Sequence, residues 1–241
     1  LQELKQSVIT HAVTKGLNPN VEMKDSGVEW IGKVPKHWKV KRLKNCSTIV
    51  LGKMLMSNPP AGSENKYTLE KYLKSKNIGW LQLNIEDDNI EDMWFNDYEK
   101  SLYKLRENDI VMNEGGDIGK IALWTDVGFD CYIQNSINKI TSNHNVDAQY
   151  LAYWLYNVSN TGYFWSIVSQ ISIAHLTKEK LSNTKVALPT YEEQQNIAAY
   201  LNKRCASIDS SISKAQHQVE LLQEYKQSLI TEVVTGKRKV S

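Results

Sequence analysis

Residues 190–234 read TYEEQQNIAAYLNKRCASIDSSISKAQHQVELLQEYKQSLITEVV, a run without Pro or Gly. Thr190, directly after Pro189, is followed three residues on by Glu193, the pairing of a capping box that opens a helix. Leu201, Cys205, Ile208, Ile212, Ala215, Val219, Leu222, Lys226, Leu229 and Val233 then step by alternating fours and threes. That spacing holds one stripe toward one partner, as in a two-helix coiled coil, with Cys205 and Lys226 as its weak points. A helix over this run would be a rod of roughly 65 Å, several times the length usual in a domain. An apolar stripe that long calls for a second helix.

The opening of the chain repeats the end of this run. Residues 1–14 read LQELKQSVITHAVT and residues 222–235 read LQEYKQSLITEVVT, with ten of the fourteen positions identical at an offset of 221. Amphipathicity explains shared Leu and Val but not shared Gln, Glu, Lys, Ser and Thr. The chain therefore reads as one period of a tandem unit. Residues 1–17 are expected to form a helix end equivalent to 222–237, and residues 190–237 the long helix itself. The stripe at Leu1, Leu4, Val8, Ile9 and Ala12 is too short to cover the rod; a second copy of the long helix would do so.

Between the helices, residues 24–189 read as a mixed α/β domain, giving an α+β chain. Strands are expected at Ile78–Leu83, Asp109–Met112, Ile118–Trp124, Ile133–Ile140 and Thr184–Leu188, with a helix near Asp147–Asn157. Seven Trp and twelve Tyr supply enough aromatic area for a core without a cofactor. Trp30 and Trp38 read as core anchors rather than as base-stacking groups.

The 241 residues carry 29 Lys and Arg against 27 Asp and Glu, a formal charge of +2 that taken alone speaks against nucleic acid. The distribution says otherwise. Between Lys15 and Lys53 nine bases face three acids, five of the bases being Lys36, Lys39, Lys41, Arg42 and Lys44; from Glu86 to Asp109 nine acids face three bases. Opposite fields on two segments allow a basic face to meet phosphate while the total stays near zero. No apolar stretch is long enough to span a bilayer, and no basic-then-apolar leader opens the sequence. Cys46, Cys131 and Cys205 are odd in number and far apart, which fits a reducing cytoplasm better than a disulfide framework or a zinc site.

Catalytic motifs fail on inspection. Asn58-Pro59-Pro60-Ala61 approaches the Asn-Pro-Pro-aromatic motif of amino-methyltransferases, but Ala61 stands where the aromatic must stack on a flipped base. Gly115-Gly116-Asp117-Ile118-Gly119-Lys120 is one residue short of a phosphate loop, and Ile121 replaces the hydroxyl that would hold magnesium. The five His are isolated, and no nuclease-type acid spacing surrounds Asp109 and Glu114. No metal, cofactor or catalytic residue is expected. A degenerate methyltransferase and a coiled-coil adaptor for proteins are the alternatives to a DNA-binding role.

Asp25-Ser26-Gly27-Val28-Glu29-Trp30-Ile31-Gly32-Lys33-Val34-Pro35-Lys36-His37-Trp38-Lys39-Val40-Lys41-Arg42-Leu43 resembles the segment that opens each target-recognition domain in specificity (S) subunits of type I restriction-modification systems. Leu188-Pro189-Thr190-Tyr191-Glu192-Glu193-Gln194-Gln195-Asn196-Ile197 resembles the junction into that family's spacer helix. Gly52-Lys53-Met54-Leu55, Glu114-Gly115-Gly116, Gln134-Asn135 and His175-Leu176-Thr177 are similar to one subgroup. The family's usual Gly before His-Leu-Thr is missing, so the backbone of the Ser166–His175 loop is expected to differ. With one recognition domain, one full helix and the tail of another, the chain resembles a half subunit.

The resemblance implies a non-catalytic, cytoplasmic protein that reads one half of an interrupted double-stranded DNA target. Its helix would dock methyltransferase (M) subunits that use S-adenosylmethionine, and through them restriction (R) subunits. A homodimer would form through Leu201, Ile208, Ile212, Ala215, Val219, Leu222, Leu229 and Val233. Bases reading phosphate and polar side chains reading base edges divide the labour. On that chemistry Lys53, Lys74, Lys76 and Lys120 are expected at phosphate. Asn113, Gly115 and Gly116 are expected in a loop of close approach, and Gln134, Asn135 and Ser136 at base edges. Gln170, Ser172 and His175 are expected in a flanking polar loop.

Overall fold

The computed structural model describes residues 1–86, 89–125, 127–168 and 175–236. In chain order the elements are α1 (Gln2–Lys15), β1 (Met23–Asp25), β2 (Lys33–Pro35), β3 (Lys39–Arg42), β4 (Ser47–Leu51), β5 (Tyr67–Leu73), β6 (Glu91–Asn96), α2 (Asp97–Tyr103) and β7 (Ile110–Asn113). They continue with β8 (Ile121–Leu123), β9 (Tyr132–Ile133), β10 (Ile137–Ser142), α3 (Ala148–Asn160), α4 (Tyr163–Ile167), α5 (Lys178–Asn183), β11 (Lys185–Leu188) and α6 (Tyr191–Val234).

The central sheet is antiparallel in the order β4-β10-β7-β8. Alternation along its strands sends Ile49, Ile110, Met112, Ile121 and Ile140 to one face and Val111, Ala122 and Ile137 to the other. The first face meets α1, α3 and the start of α6 in the larger core, around Trp38, Tyr150 and Trp154. The second covers Leu73, Ile78, Cys131 and Ile133. A second sheet, β6-β5-β9, packs beside it, and β3 pairs with β11 at the root of α6.

Capping chemistry fixes the two long helices. The Thr190 side chain accepts from the Glu193 amide, so α6 starts where the capping box placed it. The Asp147 carboxylate accepts from the Tyr150 amide and starts α3. Glu193 does further work, accepting from Trp38 Nε1 at 3.1 Å and meeting His37 Nε2 at 2.8 Å. The basic opening segment is thereby tied to the first turn of α6, and Trp38 is the buried anchor its composition suggested.

Three expected strands are redrawn. Ile78–Leu83 is a tight turn, because Gly79 donates its amide to the Gln82 carbonyl and Leu81 takes a left-handed φ of 58°. Its two ends meet as an isolated antiparallel bridge. Ile118–Trp124 keeps only β8, since Gly119 and Lys120 fold back toward Asn113. Ile133–Ile140 is split by a turn at 134–136, which sends β9 and β10 to different sheets.

Candidate nucleic-acid interface

β4 ends, β10 begins and β7 ends at the same edge of the central sheet. The loops leaving that edge converge. Gly52 follows β4 so closely under the 134–136 turn that a Cβ there would lie 2.3 Å from the Gln134 carbonyl oxygen, which no side chain tolerates. The Lys53 amide donates to Ile133 O, and the Asn135 amide donates back to Lys53 O. The Ser136 hydroxyl donates to Gln134 Oε1 at 2.6 Å, which fixes the Gln134 amide group in the turn. The Glu114 amide donates to Ser136 O, and the Leu176 amide donates to Glu114 O. Gly115, Gly116, Gln134, Asn135, Ser136 and His175 thus come together at one end of the central sheet.

Details within the cluster differ from the expectation. His175 covers Gly115, where a Cβ would lie 3.2 Å from Nδ1, so only Gly116 (φ 70°) presents open backbone. His175 Nδ1 also lies 3.9 Å from Glu114 Oε2. Burial pushes the Glu114 carboxyl above its ordinary range, with His175 acting in the opposite sense. Gly119 (φ 84°) is required by close packing, since a Cβ would meet Ser159 Oγ at 2.8 Å.

Two residues leave the contact set because they are buried. Asn113 is fully enclosed, its amide donating to Ser75 O at 3.2 Å, while its Oδ1 has no partner among the described residues. Lys53 is only 6% exposed. Its ammonium donates to Glu99 and to Trp94 O and lies over the rings of Tyr67 and Phe95. An ammonium enclosed in this way is a structural clamp and has no charge to offer a phosphate.

The other lysines stay at the surface, each with an acid beside it. Lys74 caps, and Lys76 lies within, a 3-10 turn (Ser75–Asn77) next to Asn113, and both pair with Glu91. Glu91 holds the Lys74 ammonium above its ordinary pKa, and its own carboxyl is held below the usual range. Lys120 pairs with Asp117 and lines a separate groove with Trp80, Gln82, Tyr156 and Asp209. From the acidic segment, Glu91 thus supplies the counter-charge to Lys74 and Lys76, and Glu99 that to Lys53. Lys39, Lys41, Arg42 and Lys44 remain exposed at the opposite edge of the sheet, where a cavity of about 390 Å³ is lined by Lys39, Lys41, Asn45 and His144. Gln170 and Ser172 lie outside the described residues.

Met54 and Leu55 belong to the surface cluster; the Gly52-Lys53-Met54-Leu55 motif contained them, but of its residues only Lys53 was expected to contact DNA. They are 74% and 55% exposed, directly after Lys53 and beside the Asn135 turn. The Lys53 ammonium also reaches Met56 Sδ at 3.5 Å, and the Trp94 amide reaches Met56 O, so the loop is pinned on both sides of its apolar tip. Besides that motif, the signal in the sequence was two apolar residues with no period to bury them, ahead of Pro59-Pro60. Asn58–Ala61 itself lies on an open loop.

Residues 35–221 match the family model for the type I restriction modification DNA specificity domain. Over its full length the chain is similar to the MjaVIII specificity subunit of Methanocaldococcus jannaschii, with 26% identity over 249 aligned positions. It is also 26% identical over 243 positions to the putative MjaX specificity subunit of the same organism. The chain spans about half the length of these curated relatives, 55% and 52%. Among solved structures, one from a study of complex assembly and conformational transition of the type I R-M system superposes with a TM-score of 0.66 at 17% identity, covering 96% of this chain and 50% of that one. The HsdS subunit from Thermoanaerobacter tengcongensis gives 0.56 at 18% identity, covering 89% and 45%. At these identities the structural likeness concerns the fold. No described helix is long and apolar enough to cross a membrane.

Proposed function

The chain belongs to the type I restriction-modification DNA specificity family, and we propose that it reads one half of an interrupted double-stranded DNA target without catalysing any step. The observation that carries this reading is the end of the central sheet where the Asn135–Ser136 turn lies beside Lys53 and the exposed Met54–Leu55, with the Gly116 loop and His175 joined to that turn through the Glu114 backbone. Amide and hydroxyl side chains can pair with base edges in the major groove, and apolar side chains fit the thymine methyl. Lys74 and Lys76 reach phosphate by exchanging Glu91 for it, and Lys120 does so by exchanging Asp117. Lys53 supports this surface from beneath.

α6 carries the second half of the proposal. Its distal half is the surface on which a second chain pairs and on which M subunits, with S-adenosylmethionine, and indirectly R subunits assemble. Two recognition domains related by a two-fold axis read a symmetric interrupted site. Three buried free cysteines fit work in the reducing cytoplasm.

The test is a binding-site selection with the chain assembled with its methyltransferase, read at several salt concentrations. Asn135→Ala should relax preference at one base position by about 1–3 kcal/mol, whereas Lys76→Ala should weaken binding uniformly and lower the salt slope by about one. Binding with no sequence preference at any salt would end the proposal.

A further inference from the structure

At the end of the sheet that carries the proposed reading loops, each lysine is answered by an acid: Lys74 and Lys76 by Glu91, Lys120 by Asp117, Lys53 by Glu99. Unanswered bases lie elsewhere. Arg42 ends β3, Lys44 sits in the 3-10 turn Leu43–Asn45, and Lys185 begins β11. Lys178 and Lys180 lie on α5. Among the described residues none of these five forms an ion pair, and Arg42, Lys44 and Lys178 are exposed.

The fold strings them into one track. Before α5, the Leu176 amide donates to Glu114 O at the reading end of the central sheet; after it, the Thr184 carbonyl accepts from the Leu43 amide at the far end. α5 packs on β4 and on the Leu43–Asn45 turn, with Leu181 and Leu43 buried beneath it. The track therefore follows β4 from Lys178, just after His175, to Lys44, Arg42 and Lys185. β4 has five residues, about 17 Å of strand, which is about half a turn of B-DNA at roughly 34 Å per turn.

Two further observations point to what covers the track. Lys185 stands directly opposite Arg42 in the β3–β11 pair, and like charges in that position repel. The fold gains nothing from such a pairing, and an anion lying over both removes the conflict. The surface between the bases is also polar: Asn45, Thr48 and Asn183 are exposed, and no large apolar side chain is exposed over residues 39–48 or 175–188. A row of charges without an apolar centre suits a phosphate backbone better than a protein partner, whose interface would need one.

We propose that this track carries the sugar-phosphate backbone of the duplex beside the bases being read. The inference rests on the DNA-reading role above and adds the path of the duplex. Its axis runs along the β4 side of the domain, and the loops at the end of the sheet meet it obliquely. Phosphates about half a turn, or about five base pairs, from the read bases then come level with Arg42, Lys44 and Lys185. Lys39 and Lys41, further back along β3, line the cavity of about 390 Å³ past which the same backbone leaves the domain.

The test uses the chain assembled with its methyltransferase and the duplex that this assembly selects. Lys44→Gln combined with Lys178→Gln should weaken binding to selected and unrelated duplexes by the same factor, about tenfold or more at about 0.1 M salt, and lower the salt slope by about two. Base preference should not change. Lys44→Arg with Lys178→Arg should keep both affinity and slope. On the DNA side, neutral methylphosphonates about five base pairs to either side of the read bases should weaken binding by the unaltered chain and leave the Gln variant unaffected. A folded Gln variant with unaltered affinity and slope would overturn the track. So would loss of methyltransferase assembly in place of DNA affinity, which would assign the surface to a protein. An unaltered chain that binds every duplex alike would instead end the DNA-reading proposal, and the track would stand if the Gln variant still lowered the slope.

Discussion

Along one heptad stripe, α6 has two halves in opposite surroundings. From Gln194 to Ile208 the stripe is sealed by α1 and α3, with Leu201 at 0% exposure; from Val219 onward it lies open, with Leu222 at 66%. Spacing is the same in both halves, and so is residue type. The difference lies in what packs on each half: among the described residues two helix faces cover the first half and none covers the second. A heptad defines a face, and burial follows only where another surface complements it.

Substitutions along the helix measure that contrast. Leu201→Ala should cost about 2–5 kcal/mol in urea unfolding of dilute protein, because it opens a hole in the larger core. Glu193→Ala should cost about 1–3 kcal/mol, since it leaves the Trp38 indole N–H unpaired at the root of the helix. Thr190→Ala should cost about 1 kcal/mol through the lost cap. Leu222→Ala should change the dilute unfolding energy by less than about 0.5 kcal/mol while weakening self-association. If Leu222→Ala destabilised the dilute chain as much as Leu201→Ala, the two halves would not differ as described.

The long helix was legible because its signals are local. Thr190, Glu193 and the seam spacing act within a few residues, and the observed span Tyr191–Val234 follows them. The same holds for α3 and for β7 and β11, whose apolar runs are short and bounded. β5 and β6 were not legible. Residues such as Glu70, Lys71, Glu91 and Asp92 make both segments read as charged surface, and only their mutual register reveals a sheet. β3 was hidden in the same way inside a basic run.

In the candidate site, the polar turn, the paired glycines and His175 were singled out in the sequence as loop residues beside strands, and the fold brings those loops to one end of the central sheet. The sequence alone misassigned Lys53, since burial of a lysine depends on Glu99 and Trp94, more than forty residues away. It assigned no contact to Met54 and Leu55, although their motif was noted, because nothing in a single sequence tells an exposed apolar pair from a buried one.

The enclosed Lys53 has a consequence for how such a protein changes over time. Gly52, Lys53 and Glu99 hold the loop through backbone contacts and through groups hidden inside the fold. The outward side chains at 54, 55 and 135 contribute little to that clamp. Mutation can therefore work through alternatives at the tip at little cost to folding. A library randomised at those three positions should keep most members folded while their DNA preferences diverge. On the proposed DNA-reading role, such a surface adopts new targets one substitution at a time on an inherited frame.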